Sequence, residues 1–167
     1  MIPDWMSSAT RPFDTVLVAN RGEIAVRVLR AAKESGLRGV AVYSDPDAGS
    51  LHVENADQAV HLPGTTLADT YLNGDAIIEA ARSTGAQAIH PGFGFLSERA
   101  DFANAVKAAG LIWIGPPANA IETMGDKISA RRCMIESGVP VIPGEEISMG
   151  GDSDHLGVLA SAAARVG

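Results

Sequence analysis

Four stretches of this chain share one layout: a helical pattern ends at a glycine, and a short apolar run follows. The glycines are Gly36, Gly85, Gly110 and Gly138, and the runs are Val40–Tyr43, Ala88–Ile89, Leu111–Ile114 and Val139–Ile142. A further run, Thr15–Ala19, opens the series. None of the runs alternates apolar with polar residues. That pattern predicts short strands buried on both faces, as in a parallel sheet. Glycine just past a helix end closes the last turn in the left-handed conformation. The segments between the runs read as helices. In Glu23–Ser35 the side chains of Ile24, Val28, Leu29 and Ala32 fall on one stripe, with Arg27, Arg30, Lys33 and Glu34 off it. Ala76–Ser83, Asp101–Ala109 and Lys127–Glu136 carry similar stripes, and His155–Arg165 follows a Met149–Asp152 loop as a terminal helix. The alternation predicts an α/β fold: a layered parallel sheet with helices on both faces, Rossmann-like in plan.

That plan locates a functional edge. Ligands of open parallel sheets gather outside the carboxyl ends of the strands. Those ends carry Asn20-Arg21-Gly22, Ser44-Asp45-Pro46, His90-Pro91-Gly92 and Gly115-Pro116-Pro117. Three motifs stand out. Asn20-Arg21-Gly22-Glu23 sits where a phosphate meets a helix start, but Gly22 is the lone glycine. The G-x-G-x-x-G fingerprint is therefore absent, and a plain structural turn is the competing reading. His90-Pro91-Gly92-Phe93-Gly94-Phe95-Leu96-Ser97-Glu98 is too apolar for an ordinary surface loop and is expected to fold against something. Its histidine reads as a hydrogen-bonded structural residue ahead of a catalytic base. In Met124-Gly125-Asp126-Lys127, the aspartate is a good N-cap, while the lysine opposes the helix dipole. A bound phosphate would relieve that conflict; a solvated lysine is the alternative.

Composition narrows the classes. The 167 residues are 46% hydrophobic, enough for a core. Net charge is −7, from 13 basic and 20 acidic residues, with no basic stripe, which argues against nucleic-acid and anionic-membrane partners. No apolar stretch approaches the roughly 18 residues of a spanning helix. A single cysteine, Cys133, permits no internal disulfide. It fits a reducing compartment, with a cytoplasmic location expected, and is itself expected in the core. The histidines are scattered, so no structural zinc is predicted. Residues 1–12 read as a disordered tail without a leader pattern.

Taken together, the motifs resemble one family. Val16-Leu17-Val18-Ala19-Asn20-Arg21-Gly22-Glu23-Ile24-Ala25, with Arg27 and Arg30, is similar to the opening of a biotin carboxylase. His90–Glu98 is similar to that family's next signature, with Phe93 where tyrosine is common. Ile114-Gly115-Pro116 and Met124-Gly125-Asp126-Lys127 follow in family order. The resemblance implies a domain at residues 13–145 that precedes an ATP-grasp domain, with 146–167 leading toward it. It implies an enzyme that uses ATP, magnesium and bicarbonate to carboxylate biotin on a carrier domain, alongside a carboxyltransferase subunit. Lys127 is implied as an ATP-phosphate contact, and His90, Gly92, Phe93, Gly94 and Glu98 as a loop bordering the cleft. Arg30 and Glu34 are implied at a homodimer interface. No catalytic residue and no metal ligand is assigned, because the catalytic groups of the family lie beyond Gly167. The chain by itself is therefore expected to be inactive. The competing readings are the equivalent domain of another ATP-dependent ligase, or an interaction module that docks on a carboxylase.

Overall fold

A computed structural model describes residues 11–144, 147 and 155–166. The chain divides into two compact units, Met1–Glu122 and Thr123–Gly167. The division falls within the span 13–145 expected as one domain.

The first unit is a five-stranded parallel sheet. Its strands are β1 (Thr15–Val18), β2 (Arg38–Tyr43), β3 (Gln58–His61), β4 (Ala88–His90) and β5 (Ile112–Trp113), in spatial order β3-β2-β1-β4-β5. Leu17 at the centre pairs with Val40 on one side and Ile89 on the other. The helices are α1 (Gly22–Glu34), the one-turn α2 (Leu51–Glu54), α3 (Gly74–Thr84) and α4 (Ala100–Ala108). Alternation along the strands separates two faces. Leu17, Ala19, Val40, Val42 and Ile89 pack with Ile77, Ile78 and Ala81 of α3 and Phe102, Ala103 and Val106 of α4. Val18 and Ala41 point the other way, against Ala25 and Leu29 of α1. Helices thus cover both faces, as the unbroken apolar runs require. At Gly39 a Cβ would lie 2.7 Å from Leu29 Cδ2, so the α1–β2 approach depends on the missing side chain. Trp113 is in the core, 8% exposed, and meets Phe102 edge-on.

The four helix-ending glycines have φ of 72°, 69°, 77° and 71°, each in the left-handed region. Other expectations need correcting. β3 was not expected, because Gln58 and His61 break its apolar run and it lies at the sheet edge. Val139–Ile142 is not a strand: it has no partner strand among the described residues. The Ile142 carbonyl instead accepts from Arg131 Nη1 at 2.5 Å, within the second unit. That unit holds α5's last turn (α5 is Ala118–Gly125), α6 (Lys127–Glu136) and α7 (His155–Val166). Cys133 is half-buried and not in a core, since α6 buries no residue fully. Met149–Asp152 lies outside the described residues, as do residues 1–10 of the tail. Arg11, expected in that tail, is tied down by a 2.9 Å bond from Nη1 to the Gly36 carbonyl.

Candidate functional site

The strand order reverses at β1. The chain first builds outward through β2 and β3, then returns to place β4 on β1's other side. In open parallel sheets such a reversal is where ligands bind, beside the loops that here leave β1 and β4.

Asn20 ties those two loops together. It is 2% exposed, and its amide nitrogen donates to the Pro91 carbonyl at 2.8 Å and the Phe93 carbonyl at 3.0 Å. Its Oδ1 accepts the Arg21 N–H at 2.9 Å. All the side chain's strong hydrogen-bonding directions but one are thus used to hold backbone. Gly92 has φ 71°, and a Cβ there would fall 2.7 Å from the Asn20 amide nitrogen, so only glycine fits beneath the turn. His90 Nδ1 accepts the Gly92 N–H at 2.9 Å, which places the neutral ring's proton on Nε2. Burial holds the His90 pKa below the ordinary histidine value. The ring is thus hydrogen-bonded within its own loop, as expected of a structural histidine.

The loop then turns outward. Phe93 is 78% exposed, and Gly94 combines φ 68° with ψ −161°, a glycine conformation. Phe95 follows at φ 49°, the one positive φ of a non-glycine residue among the described residues. Its ring lies against Tyr71, with centroids 5.5 Å apart and planes 7° from parallel. A bulky residue in the left-handed region persists only where its surroundings hold it there. Leu96 is buried and Glu98, ending the turn, is exposed. Within the first unit the loop folds back through Phe95 and Leu96, while the Phe93 ring stays uncovered there and is left for another domain, the second support expected of this loop.

A second cluster, unforeseen in the sequence, lies at the same edge. Asp47 accepts from Arg21 Nη1 at 2.8 and 3.1 Å, from the Tyr71 hydroxyl at 2.7 Å and from Ser44 Oγ at 3.0 Å. The Ser44 N–H donates to the Tyr71 hydroxyl oxygen at 3.1 Å, and the Arg21 guanidinium carbon lies 5.7 Å from the centre of the Tyr71 ring. Burial pushes the Asp47 carboxyl up, but the hydrogen bonds from Tyr71, Arg21 and Ser44 outweigh it and hold it below the ordinary value. Tyr71 is raised by burial and then by Asp47. Asp45, two residues earlier in the same turn, is turned to His61 instead.

Lys127 opens α6 in the second unit and is exposed. Asp126 caps that helix: its Oδ1 accepts the Ser129 N–H at 2.7 Å. Hydrogen bonds from Ser129, side chain first and backbone second, hold the Asp126 carboxyl below its ordinary value. The cap is therefore intact above the ordinary aspartate range and lost as pH falls through the lowered folded value. Replacing Asp126 by Ala is expected to speed exchange of the Ser129 amide about fivefold. Hydrogen-exchange NMR at neutral pH measures it. Arg30 and Glu34 are exposed, one turn apart on α1, with no ion pair between them. Among the described residues no group of three or more His, Cys, Asp or Glu side chains gathers as a metal would need. No described helix is long and apolar enough to cross a membrane.

The family profile described as biotin carboxylase, N-terminal domain, matches residues 12–121, the extent of the sheet unit. The chain belongs to this family. The mitochondrial methylcrotonoyl-CoA carboxylase alpha subunit of Oryza sativa subsp. japonica is 58% identical over 131 residues, which are 78% of this chain and 18% of that one. The alpha3 subunit of a biotin-dependent acyl-coenzyme A carboxylase from Mycobacterium leprae is 54% identical over 138 residues, 83% of this chain and 23% of that one. Among solved structures, the biotin carboxylase domain dimer of the Hydrogenobacter thermophilus 2-oxoglutarate carboxylase is 42% identical. It has a TM-score of 0.81 and covers 94% of this chain and 34% of that chain; that crystal contains MgADP, ADP and bicarbonate. The chain spans about a fifth of the length of these two carboxylase subunits. The biotin carboxylase motifs coincide with the geometry: Asn20 and the His90–Glu98 loop, the two signatures, are the residues that meet at the switch point.

Proposed function

We propose that this domain forms the amino-terminal side of a biotin carboxylase active site, in an enzyme that spends ATP to activate bicarbonate and carboxylates carrier-bound biotin. The observation that carries the reading is the Asn20 clamp, which joins both family signatures at the sheet's switch point. The loop it holds offers an exposed phenyl ring and bare backbone, and its lone charged side chain beside His90 is the anionic Glu98. Such a surface suits a neutral ring better than phosphate or bicarbonate. The phosphates belong to Lys127, a cation at a helix start whose own cap, Asp126, is committed to Ser129. Phosphoryl transfer depends on positioning and on neutralising charge, and Lys127 supplies part of the second.

The described residues do not fit a magnesium site of their own. In this reading the ion arrives with the nucleotide, and its ligands lie elsewhere in the enzyme. Arg30 and Glu34 are proposed at a subunit interface, supported by their exposure and by the dimeric form of the Hydrogenobacter domain. A carboxyltransferase partner follows from the same reading. A cytoplasmic location is proposed on the single thiol, Cys133.

The test is bicarbonate-dependent ATP turnover with free biotin. The complete subunit containing this domain is expected to turn over, and the 167-residue chain alone to show none. Replacing Lys127 by Met in the complete subunit is expected to raise the KM for ATP about tenfold, the cost of one phosphate contact. Turnover by the 167-residue chain alone, or an unchanged KM in the Lys127 variant, contradicts the reading.

A further inference from the structure

Four segments leave the sheet's carboxyl edge or border it, and one carboxylate collects three of them. Asp47 lies in the turn after β2. It receives Arg21 from the turn after β1, Ser44 from the end of β2, and Tyr71 from the segment before α3. The fourth segment, the loop after β4, is reached through Tyr71. The phenol is 1% exposed, fixed at its hydroxyl by Asp47 and the Ser44 N–H, and its ring face is the surface on which Phe95 stacks. Phe95 is the residue with φ 49°, next to the exposed Phe93–Gly94 tip. Asn20 holds the loop's near end, through the carbonyls of Pro91 and Phe93. The strained far end therefore has Tyr71 as its aromatic support, and Tyr71 has Asp47 as its anchor.

We propose that Asp47 is a positioning residue: through Tyr71 and Phe95 it fixes the Phe93–Gly94 tip in the orientation in which the tip meets substrate. This rests on the biotin carboxylase reading for the substrate, while the positioning itself is a property of the loop. Asp47 touches no reacting atom in this account. Its charge matters, because three donors converge on it and a neutral amide cannot satisfy three donors and also place its own NH2 group among them.

Two measurements test it, one independent of activity. In the chain with Asp47→Asn, chymotryptic cleavage after Phe93 under native conditions is expected to rise about tenfold, as the loop's open form becomes more populated. In the complete subunit, the same variant is expected to raise the KM for free biotin about tenfold while moving the KM for ATP less than twofold, because a misplaced tip weakens one substrate's site and not the other's. Tyr71→Phe keeps the ring under Phe95 and loses only the hydroxyl, so both effects are expected at roughly a third of that size. A general loss of stability would lower Tm and leave the two KM values in their original ratio. That pattern, or cleavage after Phe93 at the original rate in both variants, overturns the proposal. Should the complete subunit show no biotin-dependent turnover at all, the enzymatic reading fails, and the cleavage rates alone still decide whether Asp47 holds the loop.

Discussion

Asn20→Asp is expected to destabilise the sheet unit by about 3 kcal/mol. The substitution keeps the volume and the acceptor that takes the Arg21 N–H. It replaces the NH2 group, which donates to the Pro91 and Phe93 carbonyls, with an oxygen. Two carbonyls lose their donor, and a third oxygen is pressed against them at about 3 Å in a site 2% exposed to water. Removing one partner of a buried pair leaves the other at its full desolvation cost, and here there are two such partners. Neutralising the new carboxylate by protonation relieves the charge, at the expense of a pKa forced well above the ordinary aspartate value. Differential scanning calorimetry should register a fall in Tm of about 10 °C. A loss under about 1 kcal/mol would mean that the two loops are held by something other than this amide. Gly92 explains why no neighbouring residue can compensate: the amide fills the space a Cβ would need, so the turn cannot close further to find another donor.

The two signatures were each legible in the sequence, and their meeting was not. Asn20 stands out beside an arginine and a glycine at a strand end, and His90–Glu98 stands out by its glycines and phenylalanines. The bond between them spans 71 residues, and it exists because β4 inserts beside β1, a pairing that local patterns do not encode. The Asp47 cluster was missed for a related reason. Two acids follow the second strand, and nothing in their spacing tells that the short helical turn Asp45–Asp47 rotates Asp47 inward and leaves Asp45 outside with His61. Tyr71 sits in no helical stripe and no apolar run, so nothing marked it as core although it is 1% exposed. The strand expected at Val139–Ile142 shows the converse error. A glycine-ended helix and an apolar run follow the same grammar as the true strands, but a strand also needs a partner, and the run's exposed Val139 and Ile142 have none among the described residues.

His52 carries the other large expectation, a stability that falls as the solution is made mildly acidic. It is fully buried in the one-turn α2, with Nε2 bonded to the Val42 carbonyl at 3.2 Å. Its Nδ1 is buried and has no partner. Because a carbonyl only accepts, the proton lies on Nε2, and Nδ1 is left with a buried, unpartnered lone pair. Charging the ring would add a second proton where no acceptor awaits it. Burial accordingly holds the pKa below the ordinary value, against the smaller upward pull of the Val42 carbonyl. His90 is lowered by burial as well. Above about pH 6.5 both rings are neutral folded and unfolded, and pH has no effect through them. Below that, the unfolded chain takes up protons that the folded chain refuses, and unfolding gains. The loss continues until the lowered folded values are reached. Each ring contributes at most about 1.4 kcal/mol per pH unit across that window. Asp47 acts in a different window: its folded value is lowered, so its contribution is complete above the ordinary aspartate value and disappears only in stronger acid. Urea unfolding between pH 7.5 and pH 5 therefore isolates the histidines, with the free energy expected to decline throughout the lower half of that range. His52→Leu should reduce the slope whatever it does to the absolute stability, since a proton-refusing site is gone. A slope unchanged by the substitution would place the sensitivity at His90 alone and show that water reaches the His52 ring.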